Sequence, residues 1–219
     1  MGENLGVKNR RPLKSRDTGW ARLLTGILAK FPVSPNTISV VGIGFAVAGF
    51  GLYMAVRAFP GRPFFLLGAA VCIQLRLLCN MMDGLVAVEA GKSEPTGILY
   101  NEAPDRLEDA LFLLGAGIAI GLPFFGLQLG WLCVALALGT AYVRVLGGSL
   151  GLAQDFCGPM AKQHRMFFLT VGSVGAALEM WMRGSGWSLV TALGIIACGS
   201  LVTIARRLFR ISAQLKGRA

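Results

Sequence analysis

Residues 80–109 read NMMDGLVAVEAGKSEPTGILYNEAPDRLED. The stretch holds seven of the chain's 11 acidic residues: Asp83, Glu89, Glu94, Glu102, Asp105, Glu108 and Asp109. Asn80, Asp83, Gly84 and Ala87 stand at offsets of 3, 4 and 7, so a helix places them on one face. Asn101, Asp105 and Asp109 share a face in the same way. Gly91, Pro95 and Gly97 break the chain between the two sets. The stretch therefore predicts a helical hairpin whose arms face oxygen ligands across a short connector. Oxygen donors of this kind suit hard cations such as Mg²⁺, which prefer sites shared with phosphates.

The surroundings of the hairpin are apolar. Uninterrupted or nearly uninterrupted hydrophobic runs cover residues 37–56, 63–88 (broken by Arg76 and Asp83), 110–122 after Pro104, 128–146, 166–182 and 187–205. A bilayer-spanning helix needs roughly 17–25 such residues. Composition agrees: 54% of residues are hydrophobic, mean hydropathy is +0.63, and 15% are charged, against roughly 25% in soluble domains. Glycine, at 30 of 219 residues, is common where membrane helices approach closely. These features exclude intrinsic disorder, a disulfide scaffold and most soluble enzymes. They predict an all-α integral membrane fold of six transmembrane helices. Ionisable groups inside such helices are costly and mark function, which returns attention to Asp83 and its neighbours.

Before the first run, Trp20, Leu23, Leu24, Ile27, Leu28 and Phe31 recur at helical spacing, with Arg22, Thr25, Gly26 and Lys30 off the stripe. This predicts an interfacial amphipathic helix lying on the membrane. The expected organisation is a basic segment with this helix over residues 1–36, a six-helix membrane domain over 37–208, and a basic tail over 209–219. No cleavable signal peptide is read, since the first run has no small-residue cleavage site after it.

Net charge is +10. Lys8, Arg10, Arg11, Lys14, Arg16, Arg22 and Lys30 precede the first run, and Arg206, Arg207, Arg210, Lys216 and Arg218 follow the last. With six spans, Lys92, Arg144, Lys162 and Arg165 fall on that same side, while Arg57, Arg62 and Arg183 fall on the other. The positive-inside bias makes the basic side, with both termini and the acidic hairpin, cytoplasmic. The charge then reads as topology and attraction to anionic lipid, not nucleic-acid binding. The expected location is a bacterial inner or plasma membrane.

The hairpin's spacing resembles that of the CDP-alcohol phosphatidyltransferase family, D-x2-D-G-x2-A-R-x8-G-x3-D-x3-D. Asn80, Asp83, Gly84, Ala87, Val88, Gly97, Asn101 and Asp105 fall at its eight fixed positions, and five of them, Asp83, Gly84, Ala87, Gly97 and Asp105, keep the family residue. The six-span plan and Ser34-Pro35-Asn36 at the first span look like that family as well. The resemblance implies transfer of a phosphatidyl group from CDP-diacylglycerol to a small alcohol, with release of CMP and dependence on Mg²⁺ or Mn²⁺. Carried over by position, it implies metal ligands at Asn80, Asp83, Asn101 and Asp105, with Asp105 also the general base. It places the CDP moiety at Gly84, Ala87 and Gly97, and implies a homodimer. Basic residues after the fourth span, here Arg144, Lys162 and Arg165, would contact a phosphate of donor or acceptor.

The departures carry weight. Asn80 and Asn101 keep oxygen donors but remove two negative charges, and Val88 replaces an arginine. Asp109 or Glu102 are candidates to restore charge, and one metal ion in place of two is the expected outcome. Asn101 also reads as a helix N-cap with Pro104 in the first turn. Gly91-Lys92-Ser93 fails as a phosphate loop, because the required first glycine is Val86. The cysteines, at 72, 79, 133, 157 and 198, form no C-x-x-C pair, and His164 reads as an interfacial side chain. Two other functions stay open at this point. A catalytically impaired relative would bind nucleotide or lipid as a partner or regulator, and a transporter would use the carboxylates for ions.

Overall fold

The computed structural model describes residues 34–89, 97–121, 125–182 and 187–217. They form six α-helices: α1 (Pro35–Ala58), α2 (Phe64–Glu89), α3 (Gly97–Ile120), α4 (Phe125–Ser149), α5 (Lys162–Trp181) and α6 (Trp187–Lys216). No strand occurs among the described residues. The predicted N-terminal amphipathic helix lies outside them.

The runs of apolar sequence became these helices with shifts at their ends. α1 starts on a built cap: Ser34 Oγ accepts the Thr37 N–H at 3.1 Å, and Pro35 takes an early position where its missing donor is harmless. α3 differs most from expectation. It begins at Gly97, so Asn101 lies inside the helix and is not its N-cap, and Pro104 is an interior proline. α6 continues to Lys216, so the residues read as a basic tail are helical through that point.

Four helices, α1, α2 over Phe64–Val86, α4 and α6, are long and apolar enough to cross a membrane. α3 and α5 differ because charge fills their opening turns: Glu102, Asp105, Arg106, Glu108 and Asp109 in α3, Lys162 and Arg165 in α5.

Packing closes the helices into a ring. α1 packs on α2, α2 on α5, α5 on α6, α6 on α4, α4 on α3, and α3 on α1, with α3 also touching α5 and α6. The core is continuous along this ring, from Tyr53, Leu66 and Ile73 through Phe112 and Leu113 to Leu169, Leu193 and Ile196. Small residues permit the closest approaches. A Cβ on Gly117 would stand 2.5 Å from the Gly126 carbonyl oxygen and 2.8 Å from Gly130 Cα. Gly117 thus serves an α3–α4 contact within the chain, whereas Gly121, just past α3, lies against Arg57 of α1. Polar links join the helices as well: Tyr53 and Ser173 share a buried hydrogen bond of 2.6 Å, and on the exposed side Gln74 Nε2 donates to Thr170 Oγ1 at 2.8 Å.

Candidate active site

One end of the bundle gathers the start of α1, the end of α2, the start of α3, the end of α4, the start of α5 and the last turns of α6. Arg76, Asn80 and Asp83 follow one another at intervals of four and three on α2, so they face the same way. Asp105, Glu108 and Asp109 do so on α3. The two helices meet through these long polar side chains, while α1 packs against both.

Arg76 is fully buried. Its Nε bonds to Glu108, and its Nη2 lies 3.2 Å from Asp105 Oδ1 and 3.6 Å from Asp109 Oδ1. A buried guanidinium costs several kcal/mol to desolvate, and three carboxylates offset it here. Arg165, on α5, is 1% exposed. It donates to Asp109 Oδ2 at 2.8 Å, to Thr140 Oγ1 at 3.0 Å and to the Met160 carbonyl at 3.2 Å. Lys162, one turn earlier, bonds directly to Asp105 Oδ1.

Asp105 Oδ1 therefore accepts from Asn80 Nδ2 at 2.9 Å, from Arg76 and from Lys162, while Oδ2 has Arg106 at 4.0 Å. Asp83 is 4% exposed and differently placed. Its Oδ2 accepts the Ser39 hydroxyl of α1 at 2.7 Å, and its Oδ1 has no hydrogen-bond partner. Asp83, Asn80 and Asp105 line one cleft of about 180 Å³, walled on the α1 side by Ser39 and Gly42. A buried carboxylate oxygen without a donor, facing a second carboxylate and an amide, fits one hard cation. No group of three or more His, Cys, Asp or Glu ligands occurs among the described residues, so the donor set is a mixed one.

A second cleft, of about 240 Å³, lies between α4 and α6, and Arg144, Asp155, Arg207 and Arg210 line it. Arg144 Nη2 reaches both oxygens of Glu102, at 2.6 and 2.5 Å, and its guanidinium sits 5.3 Å from the Phe156 ring centroid. Arg207 fastens the α4–α5 connection: Nε donates to the Cys157 carbonyl at 3.0 Å and Nη1 to the Thr140 carbonyl at 2.5 Å. Asp155 closes the rim. Burial pushes its carboxyl up, but hydrogen bonds from the Cys157 N–H and thiol and from Arg210 outweigh burial and hold it below the usual carboxylate range.

The structure thus brings Asn80, Asp83 and Asp105 together, with Lys162 on Asp105. Gly84 and Ala87 follow Asp83 along α2, Gly97 opens α3, and Asn101 stands one turn before Asp105 on α3. Arg144 lines the second cleft, whereas Arg165 is turned inward, with Nη1 and Nη2 engaged and Nε buried without a partner. Both candidates for restoring lost charge are taken by arginines: Asp109 by Arg76 and Arg165, Glu102 by Arg106 and Arg144. Three residues escaped the sequence reading as contributors, Arg76, Ser39 and Arg207. Arg76 carried a usable signal, since it precedes Asn80 and Asp83 at helical spacing inside an apolar run.

The arrangement is that of a membrane-helix bundle with a polar, cation-rich site at one end. No family model matches the chain. Phosphatidylinositol phosphate synthase of Streptomyces avermitilis is 26% identical over 209 residues, covering 89% of this chain and 80% of that protein. Two crystal structures of phosphatidylinositol phosphate synthase from Mycobacterium tuberculosis share the fold. The one with CDP-DAG bound has a TM-score of 0.70 at 19% identity, covering 87% of this chain and 94% of that one. The one in complex with manganese and citrate has a TM-score of 0.69 at 18% identity, covering 86% and 87%.

Proposed function

We propose that this chain is an integral membrane CDP-alcohol phosphatidyltransferase that moves a phosphatidyl group from CDP-diacylglycerol to a small phosphorylated alcohol, releasing CMP. The observation that carries the reading is the placing of Asp83 and Asp105, from two helices, in the wall of one cleft, with Arg144 of a second cleft bonded to Glu102 on the helix that bears Asp105. The relatives above support it along most of the chain. All six helices span the bilayer in this reading, with the site and both termini cytoplasmic, and the working form is a homodimer.

The chemistry asks mainly for positioning and charge neutralisation. Asp83, with the Asn80 side chain, Asn101 and Asp105, would hold the divalent ion, Mg²⁺ or Mn²⁺, which when bound neutralises charge on the pyrophosphate. Gly84, Ala87 and Gly97 leave room for the CDP moiety. Arg144 attracts the acceptor's phosphate, and Lys162 and Arg165 act through Asp105 and Asp109. The acceptor hydroxyl oxygen attacks the β-phosphorus, the bond to the CMP oxygen breaks, and Asp105 takes the hydroxyl proton on Oδ2. The lipid substrate reaches the site along the bundle wall and the polar one from the aqueous face.

The test is CMP release from CDP-diacylglycerol by the purified protein with Mg²⁺ or Mn²⁺, across phosphorylated and unphosphorylated alcohols. Release that requires a phosphorylated polyol supports the proposal in full. Release with unphosphorylated acceptors alone removes the Arg144 assignment. A second reading, a catalytically impaired relative that binds CDP-lipid as a membrane partner, is favoured by one observation: Asp105 Oδ1 already accepts three donors. CDP-diacylglycerol binding without turnover, whatever the acceptor, would establish that second reading.

A further inference from the structure

We propose that Lys162 is a resident counter-cation, whose ammonium supplies at Asp105 the positive charge a second divalent ion would bring, so that the site takes a single ion on Asp83. The inference rests on the transferase reading and its divalent ion, and concerns what this chain has put in the place of lost carboxylates.

Charge balance carries it. At the centre of the network three cations, Arg76, Lys162 and Arg165, face three carboxylates, Asp105, Glu108 and Asp109. These charges cancel without any metal. Asp83 stands apart: among the described residues it makes no ion pair, its Oδ2 is held by neutral Ser39, and its Oδ1 is buried and unpartnered. The uncompensated negative charge of the cleft is therefore on Asp83, and one ion satisfies it.

Asp105 is in the opposite state. Lys162 reaches it from the first residue of α5, with a side chain 15% exposed, and shares Oδ1 with Arg76 and Asn80. An ion approaching that oxygen meets two positive charges and an amide N–H donor. The amide is significant, because Asn80 turns its Nδ2 toward Asp105, whereas a carboxylate at the same place would repel it. Asn80 and Lys162 are thus complementary features of one arrangement. The loss of acid at 80 removes the need for a second ion beside Asp105, and Lys162 fills the space with fixed charge. A lysine is suited to this as a compact point charge on a long stem.

Mn²⁺ binding to the purified full-length protein, followed by the electron paramagnetic resonance of free Mn²⁺, tests the assignment without reference to turnover. The wild type is expected to bind one ion per chain, and Asp83→Asn to lose it. Lys162→Met is expected to bind Mn²⁺ at least tenfold more tightly or to take a second ion, because a positive charge has left the neighbourhood. Lys162→Arg, which keeps the charge, should bind as the wild type does. Thermal unfolding in detergent identifies any variant that fails to fold, and Lys162→Gln then replaces Lys162→Met. Unchanged affinity and stoichiometry in a folded charge-removed variant, with Asp83→Asn still losing the ion, overturns the role of Lys162 and leaves the metal reading intact. Lys162→Arg behaving like Lys162→Met also overturns it, since charge would then be irrelevant. Unchanged binding in Asp83→Asn overturns the metal reading itself.

Discussion

Arg165 on α5 and Asp109 on α3 meet at 2.8 Å with side chains 2% and 3% exposed, a contact spanning 56 residues of sequence. Neither group has water to fall back on if the other is removed. Arg165→Met or Asp109→Asn should each destabilise the protein by about 3–5 kcal/mol, as expected for breaking a buried pair. Denaturant unfolding in detergent measures the loss. The double variant should lose less than the sum of the two, because it leaves no orphaned charge.

Asp105 is assigned the proton-accepting role. Asp105→Asn should lower CMP release by about 10²–10⁴-fold, the usual contribution of a general base, and the folded variant should also show a lowered unfolding midpoint, because Arg76 and Lys162 lose a charged partner. Turnover within a few-fold of wild type would remove Asp105 from that role.

The α3–α4 crossing depends on the absence of a side chain at Gly117. Gly117→Ala sets a methyl against the backbone at Gly126 and Gly130, where nothing flexible can yield, and overpacking of this kind costs about 1–3 kcal/mol. A lowered unfolding midpoint is the expected result. Gly44, with open space around its Cβ position, serves as the control, and Gly44→Ala should be neutral or slightly stabilising.

Asp155 makes the rim of the second cleft sensitive to acid. Its folded-state carboxyl lies below the usual range, so it is ionised more readily in the folded chain than in the unfolded one. The stability it contributes is complete above the unfolded value, about 3.9, and is lost as pH falls through the folded value. Lowering pH through about 4 and below should loosen the connection between α4 and α5, read as faster hydrogen exchange at Cys157 N–H, which bonds to Asp155 Oδ1 at 2.8 Å. Asp155→Asn should show the loosened behaviour at neutral pH and little further change in acid.

Much of this architecture was legible before any coordinates. Apolar runs placed five of the helices and the second half of α3, because length and hydrophobicity are local properties of sequence. The facing of Asn80 and Asp83 on α2 followed from helical spacing alone. Other features could not be read because they depend on which helices become neighbours. Ser39 sits 44 residues from Asp83, and nothing local distinguishes it from other span serines. Arg207 looked like one more cytoplasmic charge, yet it is 5% exposed and holds two backbone carbonyls. Arg165 looked like an open phosphate ligand for the same reason. The start of α3 is hidden in the sequence because Pro104 has the look of a first-turn proline, whereas the helix accommodates it in its interior.

The closure of the ring through α6 also bears on how the protein is made. The helices are made in order, so α2 and α3 bring Asp105, Glu108 and Asp109 together with Arg76 and Arg106 as their nearby cations. Lys162 and Arg165 arrive two helices later, and Arg207, which fastens the α4–α5 connection, comes with the last. During synthesis the ring is therefore still open when the carboxylates of α3 are already in the chain. A nascent chain stopped before α6 carries every proposed catalytic residue, yet lacks the clasp that holds the connection bearing Asp155 against the bundle. The clasp on the α4–α5 connection closes only once α6 is in place.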